Sequence, residues 1–363
     1  VRLPVDRVFT IRGAGTVVTG TLWTGEMSEG SKVTVLPGDR EARVRSLQVH
    51  GKEVKRARAG ARVAVGLSGS KVGHQDLSRG QTVVEGNGWS VSWMLTVRVS
   101  LLSDTGWELE QGQRVRVHLG TAEILARVAL MQGDRLQGGE EGWAQLRLEE
   151  PVLARVRDHL VLRSYSPVTT LGGGRVVEVL PRKRRSMAPG EDVLLEARLD
   201  ESPTRALSAF LEMVEWAGVH LTDLPHQTGF SPARLQEAVA SLGNQGSLRK
   251  VENRLFSAET WGKGVAGILS ALHSFHEENP LKAGMPLEEL RQVLPGAFGP
   301  KLAEAALQSL ATEDRVSLRK GVASLATFRP SLSDDQVSIR DRLRDVLSDK
   351  GLTPPSLREL GET

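Results

Sequence analysis

The chain has 363 residues, of which 39% are hydrophobic and 25% are charged, and it contains no cysteine. This composition is typical of a globular protein of two or more domains, and it excludes disulfides, thiolate metal sites and cysteine nucleophiles. No apolar run approaches the ~18 residues that a membrane helix needs, and no secretory signal opens the chain. We therefore expect a cytoplasmic protein that does not bind membranes.

The net charge of +3 is unevenly distributed along the chain. Residues 1–90 carry +6, residues 91–200 are neutral, and residues 201–363 carry −3. A polyanionic partner is expected to meet the basic N-terminal region first. The alternative is that these surplus charges only keep the surface soluble.

Through the first half of the chain, apolar and polar residues alternate with the period of a β-strand. Val63, Val65 and Leu67 are one such set, and glycines separate one set from the next. Short alternating strands with turns between them predict antiparallel barrels. We predict two antiparallel β-barrels in tandem, at residues 1–88 and 89–180.

The second predicted barrel opens with a strand whose apolar side chains should all lie on one face. These residues are Trp93, Leu95, Val97, Val99 and Leu101. Near the end of the same barrel, the run Gly172-Gly173-Gly174 is predicted to be a turn between strands.

The pattern changes after residue 180. The basic run Arg182 to Arg185 is predicted to be solvated, within a linker that extends over residues 181–200, and contact with RNA is the alternative. Beyond it, the apolar spacing i, i+3, i+4, i+7 predicts a helix, with Leu207, Phe210, Leu211 and Val214 in those positions. Ser231-Pro232 predicts the start of a later helix, with serine as the N-cap and proline in the first helical position.

The order of elements after the linker repeats. Helices followed by a two-stranded wing make a winged-helix unit, and a repeat of matched order indicates tandem modules. We predict all-α or α+β winged helices at residues 201–260 and 261–330, and an incomplete third at residues 331–363. The chain is therefore expected to lack its C-terminal end.

No segment predicts catalysis. Gly15 to Thr21 imitates the Gly-x4-Gly spacing of a phosphate-binding loop, but Thr21 stands where lysine is required and the surrounding pattern is a hairpin. His273 and His276 could share a helix face, yet two such residues do not make a metal site. We predict no catalytic residue, no metal site and no cofactor for this chain, which is not expected to be an enzyme by itself.

A glycine-rich pattern extends through the first predicted barrel. It consists of Gly13-Ala14-Gly15-Thr16-Val17-Val18-Thr19-Gly20-Thr21, then Gly25-Glu26, Gly30 and Arg79-Gly80. This pattern resembles the second domain of translational GTPases such as elongation factor Tu, so that residues 1–180 resemble two translation-factor β-barrels. Further segments are similar to the bacterial selenocysteine-specific translation elongation factors; they are Leu3-Pro4-Val5-Asp6-Arg7-Val8-Phe9-Thr10, Arg43-Val44-Arg45-Ser46-Leu47-Gln48, Ala59-Gly60-Ala61-Arg62-Val63-Ala64 and His118-Leu119-Gly120-Thr121-Ala122-Glu123. Tandem winged helices follow the barrels in that family, as they are predicted to do here.

This resemblance implies a role in protein synthesis. Members of the family deliver selenocysteyl-tRNA to the ribosome at recoded UGA codons in a GTP-dependent manner. The domain that holds GTP and Mg precedes the barrels in the family, and this chain is expected to lack it. The implied partners are selenocysteyl-tRNA, the ribosome and a selenoprotein mRNA hairpin, which the family binds through a final winged helix that is missing here.

The resemblance also implies a selenocysteyl pocket formed by Asp6, Arg7 and Arg62. Selenol is more acidic than thiol or hydroxyl, so selenocysteine presents an anion where serine does not. An arginine ~4 Å from that anion gains about 4 kcal/mol before desolvation at an effective dielectric near 20. Serine would leave the guanidinium groups without a counter-charge, and rejection follows from that cost. The alternative is a surface ion pair between Asp6 and Arg7, with Arg62 solvated.

A second candidate site lies in the second barrel. Arg114, Arg116 and His118 alternate along one strand and share a face, which predicts contacts with tRNA phosphates. A merely solvated barrel face is the alternative for these three residues.

Two other functions stay open at this point. One is a winged-helix DNA-binding regulator whose barrels sense a small ligand, although the predicted recognition helix carries only Arg234 against Glu237. The other is a fragment of a different translational GTPase, which would be favoured if Arg7 and Arg62 do not converge on one pocket.

Overall fold

The computed structural model describes residues 1–11, 15–104, 106–332, 334–351, 355–356 and 358. Gly13 and Ala14 of the glycine pattern, and most of the sequence after residue 351, lie outside the described residues. The chain divides into two compact units. One comprises Val1–Val214 and Gly218–Leu255, and the other comprises Glu215–Ala217 and Phe256–Thr363.

The first barrel forms because its strands alternate apolar and polar residues, which places one set of side chains inside. The strands are β1 (Arg2–Ile11), β2 (Gly15–Thr21), β3 (Glu26–Ser28), β4 (Lys32–Leu36), β5 (Arg40–Val49), β6 (Lys52–Glu53), β7 (Arg56–Arg58), β8 (Arg62–Ser68) and β9 (Thr82–Val84). Six of them close the barrel in the order β4-β9-β1-β2-β8-β5, with β4 also paired to β5.

The second barrel and a short side pair of strands follow. The strands are β10 (Val91–Leu101), β11 (Leu109–Glu110), β12 (Arg114–Leu119), β13 (Ala122–Leu130), β14 (Arg135–Leu136), β15 (Glu141–Leu153), β16 (His159–Ser164) and β17 (Thr170–Glu178), with β11 and β14 as the side pair. The barrel is closed in the order β10-β15-β13-β12-β16-β17. The prediction of two tandem antiparallel barrels is confirmed.

Two details of the second barrel differ from the prediction. Gly172 to Gly174 lie inside β17 and not in a turn. Glycine is required in this strand because β10 passes so close that a Cβ at Gly172 would stand 2.2 Å from the Ser100 carbonyl oxygen. Trp93 is 60% exposed and does not join the buried face of β10, because the register against β15 shifts between Ser92 and Met94. Such a bulge turns the next side chain to the other face.

The predicted linker contains a helix, α1 (Glu191–Arg198), so residues 181–200 are not a simple connection. The prediction of a solvated basic run is wrong for Arg184, which is buried. Its guanidinium group donates to Glu178 at 2.6 Å and to Glu191 at 2.5 Å. Buried charges need such partners, and these carboxylates come from β17 and α1.

The first winged helix completes the larger unit. Its elements are α2 (Pro203–Val214), β18 (Val219–His220), α3 (Leu224–Thr228), α4 (Pro232–Asn244), β19 (Leu248–Val251) and β20 (Arg254–Ser257). Leu207, Phe210 and Leu211 are buried on α2, as the helical spacing predicts. Ser231 is the N-cap residue of α4, although its side chain makes no capping hydrogen bond.

Arginines after β15 hold this winged helix against the second barrel. Arg155 Nε donates to the Pro225 carbonyl oxygen at 3.0 Å. Arg157 donates to the carbonyl oxygens of Leu199 and Thr228 at 3.1 and 3.2 Å. The last two acceptors lie at the ends of α1 and α3, where carbonyl groups lack helical partners and the helix dipole favours cations.

We expect Gly229→Ala to destabilise the larger unit. Gly229 ends α3 with a φ of 78°, and a Cβ there would stand 2.3 Å from the Val156 carbonyl oxygen. The left-handed backbone alone costs a non-glycine residue about 1–2 kcal/mol. The control is Gly243→Ala in α4, where an added Cβ meets nothing within 4 Å. Because alanine favours a helix more than glycine does, this control variant should have a free energy of unfolding higher by up to about 1 kcal/mol. Denaturant titration compares both variants, and an equal effect would contradict this account.

The smaller unit contains the second winged helix and one further helix. Its elements are α5 (Ala258–Glu278), β21 (Met285–Pro286), α6 (Leu287–Val293), α7 (Pro300–Thr312), β22 (Val316–Arg319), β23 (Val322–Leu325) and α8 (Asp334–Lys350). His276 is a core residue here, because its Nε2 accepts from the Leu325 backbone N–H at 3.1 Å and its ring stacks on Phe328. His273 is exposed.

Candidate functional site

The candidate pocket begins at an irregularity in β1. Val5 is paired with Gly20 of β2 and Arg7 is paired with Thr19, so Asp6 is the extra residue of a β-bulge. A bulge re-aims the side chain that it carries. Val5 points into the core at 1% exposure, whereas Asp6 lies on the outer face of the barrel.

The two carboxylate oxygens of Asp6 have different partners. Thr19 Oγ1 donates to Oδ1 at 2.6 Å, and Arg62 Nη1 donates to Oδ2 at 2.6 Å. Arg62 opens β8, where it is paired with Thr21 of β2. The barrel therefore brings together two residues of the predicted pocket that are 56 positions apart in the sequence.

Arg7 shares the outer face with this pair. Residues opposite each other in an antiparallel ladder lie on the same face, and Arg7 is opposite Thr19. Among the described residues, the Arg7 side chain is exposed and has no ion-pair partner within 4.0 Å. Asp6 thus pairs with Arg62 and not with Arg7, unlike the surface pair considered from the sequence.

The electrostatics of the site favour a charged carboxylate. Partial burial of Asp6 opposes ionisation, but the hydrogen bonds from Thr19 and Arg62, with the nearby charge of Arg7, lower its pKa below the ordinary value. The three predicted side chains then carry a net charge of +1. The Arg62 side chain is 55% exposed, and Asp6 occupies only one of its five N–H donors. The site can therefore receive an anion while the Asp6–Arg62 pair stays in place.

Arg114, Arg116 and His118 share one face of β12, as predicted, but both arginines are paired with carboxylates. Arg114 donates to both oxygens of Glu149 at 2.7 and 2.6 Å, and Arg116 donates to Glu123 at 2.6 Å. Both guanidinium groups also lie over the Tyr165 ring. A phosphate here would have to compete with two carboxylates.

His118, the third member of this set, is half-buried on the same strand. Burial lowers its pKa, and the positive charges of Arg163 and Arg116 act in the same direction. The imidazole is therefore neutral near pH 7 and adds no charge to this face.

The prediction from the sequence did not include Thr19. Thr19 lies on β2, two residues before Thr21 and on the same face, between the strands that carry Arg7 and Arg62. This position is the one feature that could have pointed to it. A threonine in a strand is common, so nothing in the sequence distinguishes this hydroxyl from others.

Nucleotide and metal chemistry find no support in the described residues. Residues 15–21 form strand β2, and Thr21 stands where a phosphate-binding loop needs lysine, so they do not fit a GTP cradle. Within the described part of the chain, no group of three or more His, Cys, Asp or Glu side chains could hold a metal ion. No helix in the same part is long and apolar enough to cross a membrane.

Two closed antiparallel barrels followed by winged helices are the domain arrangement of a translation elongation factor. Three family models match in the same order. They are elongation factor Tu domain 2 at residues 15–84, the selenocysteine-specific elongation factor β-barrel domain at residues 96–183, and the elongation factor SelB winged helix at residues 269–325.

The chain belongs to the SelB family of selenocysteine-specific elongation factors. It is 30% identical over 362 residues to the selenocysteine-specific elongation factor of Desulfomicrobium baculatum, covering 98% of this chain and 56% of that protein. It is 26% identical to that of Escherichia coli, covering 96% and 54%. The chain therefore spans about half the length of the curated relatives that it matches.

A solved structure has the same fold. The crystal structure of a bacterial selenocysteine-specific elongation factor, EF-Sec, superposes with a TM-score of 0.67 at 23% identity. The match covers 99% of this chain and 55% of that one.

Proposed function

We propose that this chain is the tRNA-binding portion of a factor that delivers selenocysteyl-tRNA to the ribosome at recoded UGA codons in a GTP-dependent manner. The observation that carries the proposal is the exposed site of Asp6, Arg7 and Arg62 on the first barrel. A site with net charge +1 and free guanidinium N–H donors is complementary to one small anion. Membership of the SelB family supports selenocysteine as the source of that anion.

The charge of the aminoacyl side chain provides the discrimination. A selenolate at ~4 Å from the Arg62 or Arg7 guanidinium gains about 4 kcal/mol before desolvation at an effective dielectric near 20. A seryl hydroxyl is neutral and gains no such attraction, yet it would displace the water that solvates both guanidinium groups. The same tRNA body charged with serine should therefore bind more weakly.

Asp6 has a supporting role in this mechanism. Its lowered pKa keeps it charged near pH 7, and it holds Arg62 by a hydrogen bond of 2.6 Å. Charge-assisted hydrogen bonds of this kind fix the orientation of a guanidinium group. The free donors of Arg62 are thus directed before the tRNA arrives.

The test is a comparison of two charged forms of one tRNA. The chain is incubated with the same selenocysteine tRNA esterified with selenocysteine or with serine, and protection of each ester from hydrolysis gives its dissociation constant. We expect tighter binding of the selenocysteyl form, by about tenfold or more, as one charge-assisted contact provides. Equal protection of both esters would contradict the proposal.

The proposal extends to the second barrel. We propose that Arg114, Arg116 and His118 line the path of the tRNA backbone, with Glu149 and Glu123 moderating the attraction. Phosphate contacts position a nucleic acid without reading its sequence, so a moderated basic face suits a carrier that must also release its cargo.

Glu149→Gln tests this second site. The substitution frees Arg114 from its carboxylate, so we expect tRNA to bind about two- to fivefold more tightly, with a salt dependence steeper by up to about one released counterion. The control is Glu110→Gln, since Glu110 is an exposed carboxylate on β11, in the side pair outside the barrel sheet, where it pairs with Arg135 and not with Arg114. Binding measured between 50 and 200 mM salt gives both quantities. Equal gains in the two variants would indicate a general charge effect and contradict the site.

The remaining partners follow from the same proposal. GTP and Mg would be held by a domain outside this chain, and the selenoprotein mRNA hairpin would be held by a further winged helix. The ribosome would receive the tRNA in the cytoplasm, where translation takes place.

A further inference from the structure

We propose that Thr19 is a positioning residue of the selenocysteyl pocket, acting on the substrate through Asp6. The inference rests on the proposed function and adds to it a residue that sets specificity without contacting the anion. It is carried by one hydrogen bond and by the irregular backbone at which that hydrogen bond is made.

The hydroxyl of Thr19 occupies one of the two oxygens of the Asp6 carboxylate. It donates to Oδ1 at 2.6 Å, which leaves Oδ2 for Arg62 at the same distance. Without the hydroxyl, the carboxylate could turn both oxygens toward Arg62 in a bidentate pair. Such a pair would use a second guanidinium N–H that is otherwise available to the substrate.

The β-bulge makes this support necessary. Val5 and Arg7 each have a partner across the β1–β2 ladder, whereas Asp6 has none. The extra residue of a bulge is left unpaired, so the backbone constrains it less than its neighbours. Thr19 is directly opposite Arg7, one position away from Asp6, and it is half-buried on β2, which is paired on both sides with β1 and β8.

Threonine is suited to this position. Its branched Cβ restricts the side chain to few rotamers in a strand, so the hydroxyl is held in a fixed direction. The lowered pKa of Asp6 agrees with this geometry, because hydrogen bonds to the charged form, including that from Thr19, outweigh partial burial.

The experiment compares Thr19→Val with Thr19→Ser. Valine keeps the shape and strand preference of threonine but removes the hydroxyl, whereas serine keeps the hydroxyl. The matched control is Thr21→Val, on the same face of β2, where no side-chain hydrogen bond to the pocket is present among the described residues. Two quantities are measured on the 363-residue chain: the Asp6 carboxyl titration by NMR without tRNA, and the ratio of selenocysteyl to seryl ester protection.

We expect Thr19→Val to raise the pKa of Asp6 toward its ordinary value and to reduce the selenocysteyl preference about three- to tenfold, as the loss of one hydrogen bond predicts. Thr19→Ser should restore most of both quantities, and Thr21→Val should change neither. Thermal unfolding confirms that each variant is folded.

The outcomes separate this inference from the function on which it rests. An unchanged Asp6 titration in Thr19→Val, or an unchanged preference while Arg62→Ala loses it, overturns the positioning role and leaves the pocket standing. An unchanged preference in both Thr19→Val and Arg62→Ala overturns the proposed function together with this inference.

Discussion

Replacing Arg62 with alanine is expected to remove most of the preference for selenocysteyl-tRNA over seryl-tRNA. Arg62 is the guanidinium group that Asp6 holds at 2.6 Å, and it keeps free donors on the exposed face. A hydrogen bond to a charged group contributes about 1.5–3 kcal/mol, so the preference should fall by roughly ten- to a hundredfold. The loss should be in binding of the selenocysteyl form, with seryl binding little changed.

The matched control is Arg58→Ala. Arg58 lies in the same barrel, is exposed and pairs with Glu26, so its removal lowers the net charge by the same amount. If general attraction for tRNA were responsible, both variants would weaken both charged tRNAs equally. A selenocysteyl preference that survives in Arg62→Ala would contradict the pocket.

Glu178→Gln is expected to have the largest effect on stability. Glu178 is 7% exposed and accepts hydrogen bonds from Arg184 at 2.6 Å and from Arg198 at 3.4 Å. Arg198, at 3% exposure, has no other carboxylate partner among the described residues. Removing one member of a buried ion pair leaves the other charge uncompensated and costs about 3–5 kcal/mol. Denaturant unfolding of the chain measures this loss.

The control for this variant is Glu149→Gln, in which the same chemical change occurs in a more exposed pair with Arg114. Solvent screens an ion pair at the surface, so it contributes little to stability and this variant should be nearly as stable as the parent. Equal losses in the two variants would show that the buried cluster does not contribute as its geometry implies.

The pH dependence of stability provides an independent check on Glu178. Burial opposes its ionisation, but Arg198 and Arg184 outweigh burial and lower its pKa below the ordinary value of 4.5. A carboxyl group with a lower pKa in the folded state stabilises the fold above pH 4.5, and this contribution is lost as pH falls through the folded pKa. The parent should therefore lose more stability between pH 6 and pH 3 than Glu178→Gln does. A parallel loss would contradict the assignment.

The barrels could be predicted from the sequence because their information is local. Alternation at Val63, Val65 and Leu67 fixes which side chains enter the core, and these three are buried. The same holds for α2, whose helical spacing places Leu207 and Phe210 in the core of the first winged helix. Period and burial are properties of a single segment, so one sequence is sufficient for them.

Other features could not be predicted because they depend on two segments at once. The bulges that re-aim Asp6 and Trp93 are shifts in register between neighbouring strands, and neither strand alone specifies them. Arg184 is indistinguishable in sequence from its basic neighbours, and only the positions of Glu178 and Glu191 make it a buried residue.

The residues of the candidate site also divide into those that could be predicted from the sequence and those that could not. Asp6, Arg7 and Arg62 were identified through resemblance to a family, since their spacing alone would be equally consistent with solvated charges. Thr19 was not identified, because its role depends on a hydrogen bond across the ladder. The pairing of Arg114 with Glu149 was also not foreseen, since 35 positions separate the two residues.

The most direct test of the account is to locate the selenium atom itself. The chain would be crystallised with a non-hydrolysable selenocysteyl ester analogue of the 3′-terminal adenosine, and anomalous scattering at the selenium edge would give its position. The account predicts one selenium peak on the outer face of the first barrel, within ~4 Å of the Arg62 or Arg7 guanidinium group. A selenium peak elsewhere on the chain, or an ordered adenosine with its selenium directed away from both arginines, would contradict it.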